Sequence, residues 1–189
     1  MIHNKYFEIV KEFLRGYFKT IYGRELVGKV EFSQKNIANT LGELEGQRIL
    51  ISNFNGNRRY YSLNFENPLI RDHISFFEKY VKLSFLKKNP VLIDFSSKVS
   101  GKIVCVFGSY AKGINKKNSD LDLLVVGGDS NEISQLGKEY GLDVQVFNLS
   151  LSDFRKGFAN NLILKECLKN HVVLKGENLF VSEVIKWKI

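Results

Sequence analysis

Two aspartates one residue apart, Asp120 and Asp122, stand where a polar segment enters an apolar run. Side chains at positions i and i+2 of a strand point to the same face, so the two carboxylates are predicted side by side at the start of a strand. Carboxylates that close repel each other unless a positive charge offsets them, most simply a divalent cation. The pair therefore predicts a metal site at one end of a sheet.

A second apolar run lies upstream and ends in the turn Gly108-Ser109. Gly108 has no side chain, so a ligand can approach the backbone there. Ser109 is expected to open a helix and to offer its hydroxyl and N–H groups to phosphate oxygens. Lys112 follows and is a candidate phosphate contact, although a solvated lysine is an equally good interpretation. The turn is thus a candidate phosphate-binding element beside the metal site.

The first part of the chain has the pattern of helices followed by a hairpin. Helical spacing of apolar residues predicts a helix over 3–18, and a second short helix over 24–29. Ser33 fits the N-cap of a third helix that ends near Glu45. Two β-prone runs around an Asn-Gly pair, within 48–63, then predict a β-hairpin. Three helices and a hairpin in this order resemble a winged helix-turn-helix domain.

A winged helix would present its third helix and its hairpin to DNA. The candidate DNA contacts are Lys35, Asn36 and Asn39 on the helix, and Arg58 and Arg59 at the hairpin. An exposed hairpin end is the alternative interpretation of the two arginines. The helix carries a single basic residue, so DNA binding is a weaker expectation than the metal site.

Charge is distributed unevenly along the chain. The net charge is +8, of which residues 1–90 contribute +6 (15 Lys and Arg against 9 Asp and Glu) and residues 91–189 contribute +2. The excess in the first half favours an anionic partner such as DNA. A basic surface that only keeps the protein in solution is the alternative.

Other features of the composition limit the class of protein. No apolar run approaches the roughly 20 residues that span a bilayer, and the N-terminus lacks the basic start and apolar core of a signal peptide. Cys105 and Cys167 are too few for a disulfide framework. These features predict a cytoplasmic protein.

Pro68 and Pro90 fall at predicted segment boundaries, on either side of a long helical pattern. We therefore predict three parts: a winged helix-turn-helix domain at 1–66, a linking helix at 67–90 and a catalytic domain at 91–189. The expected fold class is α+β, with the winged helix joined by the long helix to a small mixed-sheet α/β domain.

The joined motif, Gly108-Ser109 followed by Ser119-Asp120-x-Asp122, resembles the signature of the DNA-polymerase-β-like nucleotidyltransferases. More narrowly it is similar to that of the minimal nucleotidyltransferases (MNT). The resemblance implies a nucleoside triphosphate as substrate, with ATP expected, and Mg²⁺, with two ions expected. The same resemblance implies that Gly108, Ser109 and Lys112 bind the nucleotide, with the triphosphate approaching the backbone of Gly108. It also implies a third carboxylate on a neighbouring strand. Asp143 is the matching candidate, as a metal ligand and general base, and Gln145 would line the cleft.

The resemblance implies a nucleotidyltransferase of the EC 2.7.7 type that moves a nucleoside monophosphate to a hydroxyl acceptor. Acceptors among MNT relatives include antibiotics and partner proteins, and some relatives modify a HEPN-type toxin. The alternative is a DNA-binding transcriptional regulator whose nucleotidyltransferase domain only binds or senses nucleotide. A third hypothesis makes the N-terminal domain a dimerisation module without DNA contact, and a homodimer is a further expected partner.

Overall fold

The computed structural model describes residues 5–116, 118–157 and 161–188. The chain divides into two compact units, Met1–Phe77 and Glu78–Ile189. Among the described residues, no helix combines the length and the apolar composition needed to cross a membrane.

The N-terminal unit combines helices with a small antiparallel sheet. Its strands have the order β1-β3-β2, and its core contains buried apolar side chains that include Phe13, Leu41 and Leu63. A 3₁₀ turn at Gly23–Leu26 follows the first strand. The other elements are α1 (Lys5–Leu14), β1 (Ile21–Tyr22), α2 (Gln34–Gly46), β2 (Leu50–Asn55), β3 (Arg58–Leu63) and the start of α3 (Ile70–Lys88).

The N-terminal unit differs from the sequence prediction in three places. Helix α1 ends at Leu14 rather than near residue 18, because Gly16 adopts a φ of +115° that no helix continues through. The short helix expected at 24–29 is only the 3₁₀ turn. Strand β1 was not predicted, because two residues give no periodicity to detect. The N-cap at Ser33 is confirmed, since its hydroxyl accepts a hydrogen bond from the N–H of Asn36 at 3.3 Å.

The C-terminal unit is a mixed sheet with helices on its faces, and the division between the two units falls within α3. A 3₁₀ turn at Lys186–Lys188 follows the last helix. Its other elements are α4 (Val91–Lys98), β4 (Ile103–Val106), α5 (Gly108–Lys112), β5 (Leu121–Val126), α6 (Ser130–Glu139), β6 (Val144–Leu149), α7 (Leu151–Arg155), α8 (Leu162–Lys169), β7 (Val172–Lys175) and α9 (Glu177–Ile185).

The strand order in this sheet is β6-β5-β4-β7, with β5 and β6 parallel and the other pairs antiparallel. The central strands β4 and β5 are buried on both faces, which explains why both read as continuous apolar runs. One face packs on a cluster that includes Leu92, Phe95 and Ile133. The structure thus agrees with the predicted mixed α+β class.

The topology brings three strand ends to one end of the sheet. Val106, the last residue of β4, pairs with Leu123 near the start of β5. Because β6 runs parallel to β5, its first residue, Val144, pairs with Leu121. The turn after β4 and the residues that open β5 and β6 are therefore neighbours, and these are the positions of the predicted site.

A buried ion pair connects α3 to β7 within the C-terminal unit. The Nε2 atom of His171, the residue before β7, lies 3.1 Å from Oε1 of Glu78, and both side chains are 1% exposed. Burial lowers the pKa of His171, but the charge of Glu78 and the hydrogen bond with it outweigh burial and raise the pKa to about 9. The imidazole is therefore positively charged at neutral pH in the folded protein.

This pair predicts a pH dependence of stability. The folded pKa of His171 lies above its ordinary value of 6.5, so its contribution to the free energy of unfolding is complete below pH 6.5 and is lost as pH rises through about 9. The loss should amount to a few kcal/mol at most, since one pKa unit corresponds to about 1.4 kcal/mol. Urea denaturation from pH 6 to 9.5 measures it. The Glu78→Gln, His171→Gln double variant should lack this component, and parallel profiles of the two proteins would contradict it.

Candidate functional site

The turn between β4 and α5 is built around Gly108. Gly108 has a φ of +65°, a left-handed conformation that favours glycine. The N–H of Phe107, just before it, donates to the backbone oxygen of Asp122 at 3.0 Å. This bond extends the pairing of β4 with β5 by one step and fixes the turn next to the first residues of β5.

The carboxylate of Asp122 lies directly against the backbone of Gly108. A Cβ atom added at position 108 would stand 2.0 Å from Oδ2 of Asp122 and 3.0 Å from its Cγ. A side chain at position 108 would fit only if the carboxylate of Asp122 moved away, so both the backbone conformation and the closeness of the carboxylate favour glycine. The structure thus brings together the two halves of the sequence motif.

Asp120 and Asp122 influence each other electrostatically. Burial raises the pKa of Asp122, the negative charge of Asp120 raises it further, and the positive charge of Lys112 acts in the opposite direction. Asp122 is half-buried and Asp120 is exposed. The half-buried carboxylate thus stands near a like charge, which is the electrostatic situation that a bound cation would relieve.

The donor set at this position suits a hard divalent cation. Carboxylate oxygens are the ligands that Mg²⁺ takes in proteins, and it usually binds through one or two of them together with substrate phosphates. Asp120 and Asp122 therefore fit Mg²⁺. In residues 5–116, 118–157 and 161–188, no three His, Cys, Asp or Glu side chains are grouped so that they could hold a metal ion.

Asp143, the predicted third acid, lies just before β6 and is exposed. Its backbone oxygen accepts a hydrogen bond from the N–H of Leu121 at 2.7 Å, which places it beside the start of β5. Gln145 pairs in register with Asp122. Since i and i+2 share a face, Asp143 and Gln145 lie on the face of the sheet that carries Asp122. The role of Asp143 as metal ligand or general base stays a prediction.

Ser109 and Lys112 lie on the short helix α5 that follows the turn. Within the described ranges, the hydroxyl of half-buried Ser109 has no hydrogen-bond partner, while its backbone oxygen accepts from the N–H of Ile114 at 3.1 Å. Lys112 is exposed, and its Nζ lies 3.1 Å from Oε1 of Glu166 on α8. Sequence reasoning did not find Glu166, because it lies far along the chain with no local pattern to mark it.

The predicted DNA contacts of the N-terminal unit lie on α2 and the β2–β3 hairpin. Lys35, Asn36 and Asn39 are exposed on α2. The guanidinium of Arg58 lies over the ring of Tyr22, 5.7 Å from its centroid, and Arg58 is exposed. These four side chains are accessible to a ligand.

Arg59 is held within the N-terminal unit. It donates hydrogen bonds to Oε2 of Glu45 at 2.5 Å and to Oγ of Ser52 at 2.9 Å. It also lies over the rings of Phe54 and Tyr61, with centroid distances of 5.5 and 5.3 Å. Much of its bonding capacity is thus directed at its own unit, and Arg58 is the more available of the two arginines.

Part of the C-terminal unit is similar to known proteins. Residues 91–177 match the family described as nucleotidyltransferase domain. A curated relative from Methanocaldococcus jannaschii, named "Putative protein adenylyltransferase MJ1547", is 37% identical over 92 residues, which are 46% of this chain and 64% of that protein. The chain thus spans less than two thirds of the length of this relative. The two matches support the predicted transferase of the EC 2.7.7 type.

Two solved structures are also similar to part of the chain. One is a toxin–antitoxin with AMP-PNP, at 22% identity over 52% of this chain and 84% of that one, with a TM-score of 0.37. The other is a mutant of the toxin–antitoxin MntA–HpeT, at 22% identity over 55% of this chain and 85% of that one, with a TM-score of 0.34.

The contact between Gly108 and Asp122 predicts different effects of two glycine substitutions. Gly108 and Gly113 both have positive φ, +65° and +70°, so alanine costs roughly 1 kcal/mol of backbone strain at either position. A Cβ at Gly113 meets nothing within 4 Å, whereas one at Gly108 overlaps the carboxylate of Asp122. Gly108→Ala should therefore lower the free energy of unfolding more than Gly113→Ala does. Equal losses in urea denaturation would contradict the contact.

Proposed function

We propose that the C-terminal unit transfers AMP from ATP to a hydroxyl group of a partner protein and releases pyrophosphate. The observation that carries this proposal is the carboxylate of Asp122, packed against the side-chain-free backbone of Gly108 and near Asp120. Such an arrangement suits a divalent cation and a phosphate group at the same place. It lies within the segment that matches a nucleotidyltransferase domain.

The choice of nucleotide and acceptor is supported by the name of the curated relative, a protein adenylyltransferase. Adenylyl transfer requires an adenine nucleotide, and a protein acceptor offers Ser, Thr or Tyr hydroxyls. A small-molecule hydroxyl is the other acceptor that the sequence leaves open. The HEPN-type toxin that the family resemblance implies stays a prediction of what such a partner could be.

Each residue of the site has a task in this proposal. Asp120 and Asp122 would hold Mg²⁺, which when bound neutralises negative charge on the phosphates. The missing side chain of Gly108 makes room for the carboxylate of Asp122, which therefore lies against the turn that would carry the phosphates. Ser109 has a hydroxyl available to donate to a phosphate oxygen. Lys112 is close enough to affect the pKa of Asp122 and would have to leave Glu166 to contact a phosphate.

The reaction forms one bond and breaks one bond at the α-phosphorus. The acceptor hydroxyl oxygen forms the new bond to phosphorus, and the bond from phosphorus to the bridging oxygen of pyrophosphate breaks, with its electron pair leaving on that oxygen. The hydroxyl proton must go to a base. Asp143 is our candidate, because it lies on the face that carries Asp122 and is exposed to solvent.

The carboxylate pair predicts the effect of neutral substitutions. Asp120→Asn and Asp122→Asn should each lower transfer of label from α-labelled ATP to protein by at least about 100-fold, because the charge that holds the cation is lost. Glu139→Gln, an exposed acid on α6, is the matched control and should keep full activity.

A thermal-shift measurement shows whether a variant is inactive because it no longer binds the cation or because it no longer folds. Mg²⁺ with ATP should raise the Tm of the wild type, since a ligand that binds only the folded state stabilises it, and should leave the Tm of Asp122→Asn unchanged. Full transfer activity in either Asn variant would exclude the carboxylates from the reaction.

We further propose that the N-terminal unit is a winged-helix module that binds duplex DNA. The sheet order β1-β3-β2, with α2 leading into the β2–β3 hairpin, supports this proposal. The net charge of the chain, +8, also favours an anionic partner. A chain of this kind would either regulate transcription, with the C-terminal unit sensing nucleotide, or combine DNA binding with nucleotidyl transfer.

The exposed basic residues predict how DNA binding depends on salt. Lys35→Ala and Arg58→Ala should each weaken binding to a duplex and lower the slope of log affinity against log salt by about 1, since each removes one phosphate contact. Arg71→Ala, an exposed arginine on α3, is the control and should change neither quantity. Equal effects of all three variants in fluorescence anisotropy would argue against a DNA surface on α2 and the hairpin.

A further inference from the structure

Strand β6 lies at the edge of the C-terminal sheet. In the part of the chain that the structure describes, β6 pairs only with β5. The pairing is regular over six residues, from Leu121 with Val144 to Val126 with Leu149, with no shift of register. One long side of β6 is therefore a straight row of backbone groups without a neighbouring strand.

Two hydrogen bonds fix which backbone groups face outward. The N–H of Leu121 donates to the oxygen of Asp143, and the N–H of Gly127 donates to the oxygen of Leu149. In a parallel ladder the residues that bond to one neighbour alternate with those that face away. The N–H and C=O groups of Val144, Val146 and Asn148 thus face the free edge.

This edge lacks the features that usually prevent an exposed strand from pairing with another chain. Such features include lysine, proline and bulges along the strand. The sequence Val-Gln-Val-Phe-Asn-Leu of β6 contains neither lysine nor proline, and the register with β5 has no bulge. The edge is thus able to accept a further strand.

The free edge is continuous with the candidate active site. Gln145 on β6 is exposed and stands in register beside Asp122. A strand added to β6 would lie about 4.8 Å beyond it, so one of its side chains on the same face would stand next to Gln145, two strand spacings from Asp122. A partner held along this edge would therefore present a side chain on the face of the sheet that carries Asp122, beside the candidate active site.

We propose that the free edge of β6 binds an extended segment of the acceptor protein as an additional strand and so presents its hydroxyl to the α-phosphate. This inference rests on the proposed adenylyl transfer and adds how the acceptor is held. Backbone hydrogen bonds to Val144, Val146 and Asn148 supply the binding, as in other cases of strand addition. The hydroxyl oxygen of that segment forms the bond to phosphorus, pyrophosphate leaves, and the proton goes to a base.

The test uses three acceptors with the full chain, Mg²⁺ and α-labelled ATP. The first is the peptide Lys-Val-Lys-Val-Tyr-Val-Lys-Val-Lys, run beside a version with serine at the centre. The second is the same peptide with alternate backbone amides methylated, which removes its ability to pair as a strand. The third is N-acetyltyrosinamide, which has the hydroxyl but no strand. The unmethylated peptide should be labelled with at least a tenfold higher kcat/KM than the methylated one.

Two variants at position 146 distinguish the contribution of the backbone N–H to peptide binding from that of the side chain. Val146→Pro removes an outward N–H that does not bond to β5, and Val146→Ala keeps that N–H while removing side-chain volume. Val146→Pro should lower kcat/KM for the peptide to the level of the methylated peptide and leave labelling of N-acetyltyrosinamide unchanged. Val146→Ala should keep the preference for the unmethylated peptide.

A binding measurement on the wild type tests the edge without catalysis. The peptide with phenylalanine in place of tyrosine should slow amide hydrogen exchange at Val144, Val146 and Asn148, measured by NMR. Equal kcat/KM values for the methylated and unmethylated peptides would overturn strand addition while leaving adenylyl transfer in place. Unchanged amide hydrogen exchange at Val144, Val146 and Asn148 would do the same. If these amides are already protected at high protein concentration without peptide, the edge pairs with a second copy of the chain, and binding of an acceptor strand is overturned. If no acceptor is labelled but the amides are protected, adenylyl transfer fails and the docking edge stands.

Discussion

The contact between the carboxylate of Asp122 and the backbone of Gly108 is the constraint on which the site depends. It requires a glycine at the turn after β4, a strand pair that brings β4 and β5 into register, and a burial that raises the pKa of the carboxylate. The strand pairing and the burial are properties of the sheet, and the glycine lies in the turn that directly follows β4. The position of Asp122 is therefore set by the packing of the central strands.

Sequence reasoning predicted this part well because its signals are local. The apolar runs of β4 and β5, the glycine between them and the spacing of two aspartates fall within about two dozen residues, and each has a direct physical meaning. Strand β1 and the early end of α1 were missed, since a two-residue strand has no period and the conformation of Gly16 outweighs the apolar pattern around it.

Long-range pairings were beyond what the sequence could predict. Glu166 meets Lys112, Glu45 meets Arg59 and Glu78 meets His171 only after folding. These pairs affect two residues that the sequence marks as candidates for binding phosphates. Lys112 and Arg59 each form an ion pair with a carboxylate of their own unit, which competes with a phosphate. Charge counted along a sequence does not tell which charges are already neutralised by a neighbour.

The burial of β5 on both faces has a consequence for motion. A strand enclosed between two neighbours and two packed faces fluctuates little, so the carboxylate of Asp122, the second residue of β5, is held in a nearly constant position. The other parts of the site are on elements with more freedom: Lys112 ends a five-residue helix, and Asp143 precedes an edge strand. Adjustment to a substrate therefore falls to Lys112 and to the edge strand, around a rigidly held Asp122.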